Sequence, residues 1–235
     1  MSISVTEKTI KSKVKLGERV AIIENIKYPQ FEGKGHEKLC KRMNAFYSSV
    51  AEKYSFYARN KLPGRIKLQK HFQKLPLTLS MNYTVSVCGE KIISVVLDLS
   101  FTEGKKVKMR RFSQMWSVEK EDIIPIFEFI SCNRREEKKL YSLVFALAKE
   151  NSENPAFGYF EDSLLKLRKK IDIRNCFAVP NGVCFFINAG ILSPVKYGSA
   201  NFVLPYNSLE GIVKGDFLPQ KSENDPQSSD IVNNV

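Results

Sequence analysis

The residues best placed to do chemistry lie in one run, Lys105-Lys106-Val107-Lys108-Met109-Arg110-Arg111. On a strand, period 2 puts Lys106, Lys108 and Arg110 on one face and Lys105, Val107, Met109 and Arg111 on the other. Three cations in a row can track a phosphate backbone or an acidic partner. Phe112 and Trp116 continue the 106–110 parity if no bulge intervenes, and aromatic rings on a basic face can stack on bases. The candidate polyanion or partner surface is therefore Lys106, Lys108, Arg110, Arg111 and Trp116. The competing reading is a solvated outer face whose charges keep an edge strand from pairing with another chain.

Other chemistries find little support. The sequence holds no G-x-x-x-x-G-K-[ST], no G-x-G-x-x-G after a strand, no G-x-S-x-G and no H-E-x-x-H. A nucleophile–histidine system would rest on His36, at a predicted helix start, or His71, in a basic linker. Glu136-Glu137 precede Lys138-Lys139 on a charged helix face, and Glu161-Asp162 open a short helix, where acids favour the dipole. Asp98, between Leu97 and Leu99, alternates away from the apolar face and reads as solvent-side or paired. The five cysteines (Cys40, Cys88, Cys132, Cys176, Cys184) are widely spaced, with no C-x-x-C. With two histidines, no metal site is expected, and no cofactor either. Cys88, Cys176 and Cys184 sit in apolar runs and read as small buried hydrophobes, which suits a reducing compartment.

These residues must be positioned by a mixed fold. Residues 3–28 alternate apolar and polar positions with β-branched enrichment, predicting two strands turning at Leu16-Gly17-Glu18. Tyr28-Pro29-Gln30-Phe31 with Gly33 and Gly35 predicts a loop. From His36 to Leu62 an apolar stripe (Leu39, Met43, Phe46, Val50, Tyr54, Tyr57) predicts a long helix with a core-facing side, stopped at Pro63-Gly64. Residues 75–118 predict a three-stranded antiparallel meander, with turns at Cys88-Gly89-Glu90-Lys91 and Phe101-Thr102-Glu103-Gly104. Ile123–Ile130 is an apolar connector with one helical turn after Pro125. Asn133 can cap a helix running to about Ala148, and a shorter helix spans Tyr159–Ile171. Strands at 175–180 and 183–188 flank Pro180-Asn181-Gly182, and a last strand covers 201–205.

The 235 residues carry 37 Lys plus Arg against 25 Asp plus Glu, a net +12. The excess is uneven: residues 1–215 carry +15 and the tail from Asp216 carries −3. Such a field attracts nucleic acid, anionic lipid or acidic protein. With 43% apolar residues and 16 Phe, the chain has material for a large core, which excludes a mostly disordered or low-complexity class. Residues 1–11 are polar and no uncharged run of 18 apolar residues occurs, predicting neither a secretory signal nor a membrane span. The expected location is the cytoplasm. The expected organisation is a strand–helix part at 1–74, a sheet–helix–hairpin part at 75–215 packed with it as one unit, and a disordered tail at 216–235.

Two stretches resemble a pair of bacterial domains of unknown function. Ile26-Lys27-Tyr28-Pro29-Gln30-Phe31-Glu32-Gly33, followed by the helix with Met43-Asn44, resembles the opening of the N-terminal member. Asn175–Phe186, with Phe177 and Gly182, then Pro194, Tyr197-Gly198 and Phe202-Val203-Leu204-Pro205-Tyr206, resembles the ending of the C-terminal member. The landmarks are Tyr28, Pro29, Gly33, Asn44, Phe177, Gly182, Tyr197, Gly198, Pro205 and Tyr206, and they frame about residues 20–210. In that family the pair forms the ectodomain of the lysozyme-sensing anti-sigma-V factor and the accessory part of some peptidoglycan deacetylases. The resemblance implies an α+β binding module without catalytic residues. This sequence differs in having Glu103-Gly104-Lys105-Lys106 where the family often has Gly-Ala-His, and Ser193-Pro194-Val195-Lys196-Tyr197 at the “APY” box.

The sequence thus predicts an α+β fold, an antiparallel meander packed against one long N-terminal helix and two further helices. The functional expectation is a non-enzymatic module with an unknown protein partner. The alternatives are a basic nucleic-acid or polyanion binder and an enzyme acting on cell-wall glycan.

Overall fold

The computed structural model describes residues 3–68 and 76–217. β1 (Ser4–Leu16) and β2 (Arg19–Glu32) form a long antiparallel hairpin. α1 (Glu37–Phe56) runs through a π turn, Tyr57–Lys61, into α2 (Leu62–Leu68). β3 (Leu77–Cys88), β4 (Ile92–Glu103) and β5 (Lys106–Ser117) are the predicted meander, and β6 (Asp122–Ile123) is a two-residue addition. α3 (Ile126–Phe129), α4 (Arg134–Glu153) and α5 (Ser163–Lys170) lead to β7 (Cys176–Val179), β8 (Gly182–Ile187) and β9 (Ala200–Pro205). The predicted tail beyond Phe217 and His71 lie outside the described residues.

The first sheet has the order β1-β2-β3-β4-β5-β6 and the second β7-β8-β9. The antiparallel meander holds for β3–β5, but the sheet as a whole is mixed, because β2 and β3 pair in parallel over Ile22–Ile26 and Leu77–Met81. A helical crossover between the two strands returns the chain to the same end of the sheet, which a tight turn cannot do.

Four layers stack in the order helix, sheet, sheet, helix. Ile93, Val95 and Leu97 of β4 meet Leu39, Met43, Tyr47 and Ala51 of α1. On the other face of β4, Val96 meets Phe177, Cys184 and Phe186 of the second sheet. The far side of that sheet (Val183, Phe185, Ile187) packs on Leu140, Val144 and Ala148 of α4. Strands covered on both faces read as continuous apolar runs, and Ile92–Leu97 and all of β8 are buried accordingly. Asn133 caps α4 in a full capping box with Glu136, as its position predicts.

Three local expectations are corrected. The Tyr28–Phe31 loop is strand: it stays paired with Glu7, Lys8, Thr6 and Val5 of β1, and Tyr28, Pro29 and Phe31 are buried. Beyond Ile26, β3 no longer covers this edge, and Asn44 of α1 takes its place. The Phe31 N–H donates to Asn44 Oδ1 at 2.7 Å, and Asn44 Nδ2 donates to the Phe31 carbonyl at 2.9 Å. Asn44→Ala leaves both backbone groups unpaired and is expected to cost about 2 kcal/mol, read as a lower urea midpoint at unchanged slope.

Pro63-Gly64 does not stop the helix. Proline is tolerated in a first helical turn, where its missing N–H is not needed, and the π turn before α2 restarts the hydrogen-bond ladder there. Cys88 is exposed instead of buried. The register of β3 against β4 shifts between Val85 and Val87. This bulge carries Val87 from the α1 side to the α4 side of the core and aims Ser86 at the second sheet. Its hydroxyl lies 2.8 Å from the Ala178 carbonyl of β7.

Candidate interaction surface

The register of β4 with β5 is unbroken from Glu103↔Lys106 to Ile92↔Ser117. The predicted parity therefore holds along the whole of β5. Its two ends meet different surroundings. At the C-terminal end the 106–116 face lies under α1, where Trp116 is 2% exposed. Its indole N–H donates to the Tyr47 hydroxyl at 2.9 Å, with Phe46 edge-on at 5.6 Å. Trp116 is a core residue, and it leaves the candidate surface. At the N-terminal end Lys105, Lys106, Lys108 and Arg110 are exposed.

Among the described residues, β6 pairs only with Trp116 and Ser117, so no strand covers the outer edge of β5 before them. Lys106 lies across from Glu103, yet none of Lys105, Lys106, Lys108 and Arg110 forms an ion pair among the described residues. The Arg110 guanidinium stands 5.2 Å from the centroid of the Phe112 ring, which is 43% exposed. The rim is thus a row of unneutralised cations with one exposed aromatic platform.

Arg111 also leaves the surface. It points to the opposite face and joins the two sheets. Its Nε and Nη2 donate to the Asp98 carboxylate, each at 2.8 Å, and Nη1 donates to Asn201 Oδ1 at 2.7 Å. The Arg111 backbone N–H donates to Asn188 Oδ1 at 2.7 Å. Phe177 and Phe186 flank the guanidinium at 6.0 and 5.9 Å. Of the two readings of Asp98, solvent-side or paired, the pair with Arg111 is the one observed. Ser113, on the same side, donates to the Cys176 carbonyl at 2.6 Å.

The resemblance landmarks build the fold. Phe177 is buried between the sheets, and Tyr206 donates its hydroxyl to the Val179 carbonyl at 3.2 Å. A Cβ on Gly182 would lie 2.1 Å from the Leu204 carbonyl oxygen, and one on Gly33 would lie 2.8 Å from Ile3 Cγ1. The Tyr197 ring covers Gly158, and Gly198 turns the chain at φ +75° before β9. Pro205 ends β9 at the turn that starts with Tyr206.

An acid missed at the sequence level is Glu24, 1% exposed beneath the π turn. Its Oε2 accepts from the Ser12 hydroxyl and from Arg59 Nε at 3.1 Å, while Oε1 has no hydrogen-bond partner among the described residues. The acids held below the usual carboxylate range are on the surface. The Gly35 N–H lowers Glu37, the Ile123 N–H with Arg42 lowers Asp122, and the Arg174 guanidinium lowers Asp172. Burial pushes the Cys176 thiol up and that of Cys184 to about 12, so both stay protonated at neutral pH. Iodoacetamide at pH 8 is expected to modify Cys88 and Cys132 and to spare Cys40, Cys176 and Cys184 until urea unfolds the chain, as read by peptide mass spectrometry. Modification of Cys176 at native rates would contradict this packing.

Among the described residues no helix is long and apolar enough to cross a membrane. No family model and no curated protein sequence matches the chain. Solved structures do match. A member of the DUF3298 family from Bacteroides fragilis is similar with a TM-score of 0.61 at 10% identity, over 91% of this chain and 94% of that one. A DUF3298 family protein from Pseudomonas aeruginosa is similar with a TM-score of 0.57 at 14% identity, over 93% of this chain and 98% of that one. At such identities the likeness establishes one thing, the fold, which this chain shares with proteins of a domain family of unknown function.

Proposed function

We propose that the chain is a non-enzymatic interaction module, a soluble counterpart of the anti-sigma-V ectodomain it resembles in sequence, whose basic β4–β5 rim receives an acidic protein segment. One observation carries this reading: Lys106, Lys108 and Arg110 line an open strand edge and form no ion pair among the described residues. The same charges keep that edge from pairing with a second copy, so the rim repels its own kind and attracts an opposite charge. The five thiols, none in a disulfide, suit action in the reducing cytoplasm. A second reading, single-stranded nucleic acid, is favoured by the Arg110–Phe112 stack, a platform on which a base can lie.

The test is fluorescence anisotropy with a labelled ten-residue polyglutamate peptide and a labelled 15-nucleotide single strand, each at several salt concentrations. The Lys106→Ala/Lys108→Ala/Arg110→Ala variant serves as the comparison. All three residues are exposed, so the variant is expected to melt within about 2 °C of wild type. The interaction reading expects peptide binding that the variant loses. The nucleic-acid reading expects the single strand to bind, with a log–log salt slope shallower by about 2 in the variant. Equal binding by variant and wild type overturns both.

A further inference from the structure

Between α4 and α5 the surface opens into a groove of about 640 Å³. The half-buried Phe145 and Ile171 form its apolar surface, with Leu167 buried beneath them and Tyr141 at one end. Lys149 and Arg168 stand on its rim. The Arg168 guanidinium lies 5.0 Å from the centroid of the Phe145 ring. Past Tyr141 and Ile171 the groove continues into a second hollow of about 560 Å³, bordered by Lys169 and Lys170.

The charges here are unbalanced in a definite way. The two acids lining the hollows are already engaged. Glu137 accepts the Tyr141 hydroxyl at 3.1 Å, and Asp172 holds Arg174 in a fork at 2.8–3.2 Å. Among the described residues, Lys149, Arg168, Lys169 and Lys170 form no ion pair. The last turn of α5 favours cations through its dipole, which accounts for their presence there. It does not account for Phe145 and Ile171 being left only half-buried beside them.

We infer that this groove binds a small amphiphilic anion, an organic carboxylate with an apolar body. The body lies on Phe145 and Ile171, and the carboxylate meets Arg168. A guanidinium held beside a ring keeps its donor fork available to a carboxylate, which it can meet with two parallel hydrogen bonds. The lining has the usual form of a small-molecule site, mostly apolar with a few placed charges. The inference is independent of the β5 rim, because the groove lies between two helices on other residues.

The experiment is amide NMR of the labelled protein, titrated with 2-naphthoate and with its neutral analogue 2-naphthamide. The expected result is shifts confined to residues 141–149 and 167–171, with naphthoate binding about tenfold more tightly than naphthamide, the effect of one charge-assisted pair. Arg168→Gln is expected to erase that difference. Ala146→Trp, at an exposed position on the groove wall, is expected to fill the groove and remove both ligands, with the rest of the spectrum unchanged. Equal affinity for the two ligands, a preference that survives Arg168→Gln, or no localised shifts at millimolar ligand would each overturn the inference.

Discussion

Gly182→Ala is expected to lower the melting temperature by about 10 °C or to abolish soluble expression. Gly182 opens β8 and lies between Val179 of β7 and Pro205 of β9. An added Cβ would sit 2.1 Å from the Leu204 carbonyl oxygen and 2.9 Å from its carbonyl carbon. Both are backbone atoms of a paired strand, so no side-chain rotation relieves the clash. Either the β8–β9 ladder parts at this end or the strand shifts away from α4, and β8 is buried on both faces. A cost of about 4 kcal/mol falls in the range of the most damaging substitutions. For a domain of this size that is roughly 10 °C. Circular dichroism melts of the purified variant give the answer, and a melting temperature within 2 °C of wild type would mean that β9 approaches β8 less closely than described.

Arg111→Met is expected to cost about 3 kcal/mol. Methionine keeps the stem between Phe177 and Phe186 but removes the guanidinium. The Asp98 carboxylate, 27% exposed, then loses both of its donors, and Asn201 loses one. An acid left without its partner in a half-dry interface costs more than the pair itself contributes. The Asp98→Ala/Arg111→Met double variant should therefore be less destabilised than the sum of the two singles, by about 1–2 kcal/mol. Urea unfolding of the four proteins measures this coupling. Strict additivity would show that Asp98 and Arg111 do not act together in joining the two sheets.

Much of this architecture was legible in the residues. Period-2 runs located β1 and β3–β5, the apolar stripe located α1, and Pro180-Asn181-Gly182 located the last hairpin. What failed has physical causes. Tyr-Pro-Gln-Phe reads as a loop because proline weakens a strand, yet here a helix side chain, Asn44, supplies the edge hydrogen bonds. Pro63-Gly64 reads as a stop because a π turn cannot be seen in composition. The parallel β2–β3 pairing depends on a crossover whose geometry no local pattern fixes.

The candidate surface was half legible. Alternation placed Lys106, Lys108, Arg110 and Trp116 on one face correctly, but parity does not say where a helix ends its cover. Trp116 lies under α1 and Arg110 lies beyond it. Parity already set Arg111 on the other face, but the Asp98–Arg111 pairing was hidden by the predicted turn at Phe101–Gly104: β4 runs on to Glu103, and the turn at Gly104-Lys105 sets the two residues opposite each other. Glu24 gave no signal, because Arg59 reaches it from a helix 35 positions away in the sequence.

The central claim, that the β5 rim is where a partner binds, is tested most directly by amide NMR of the labelled protein with added polyglutamate peptide at moderate salt. The account predicts shifts concentrated at Lys105–Phe112 and absent from the Lys106→Ala/Lys108→Ala/Arg110→Ala variant. Shifts spread over every basic patch alike, or none on β5, would contradict it and leave the rim cations as guards of an open edge.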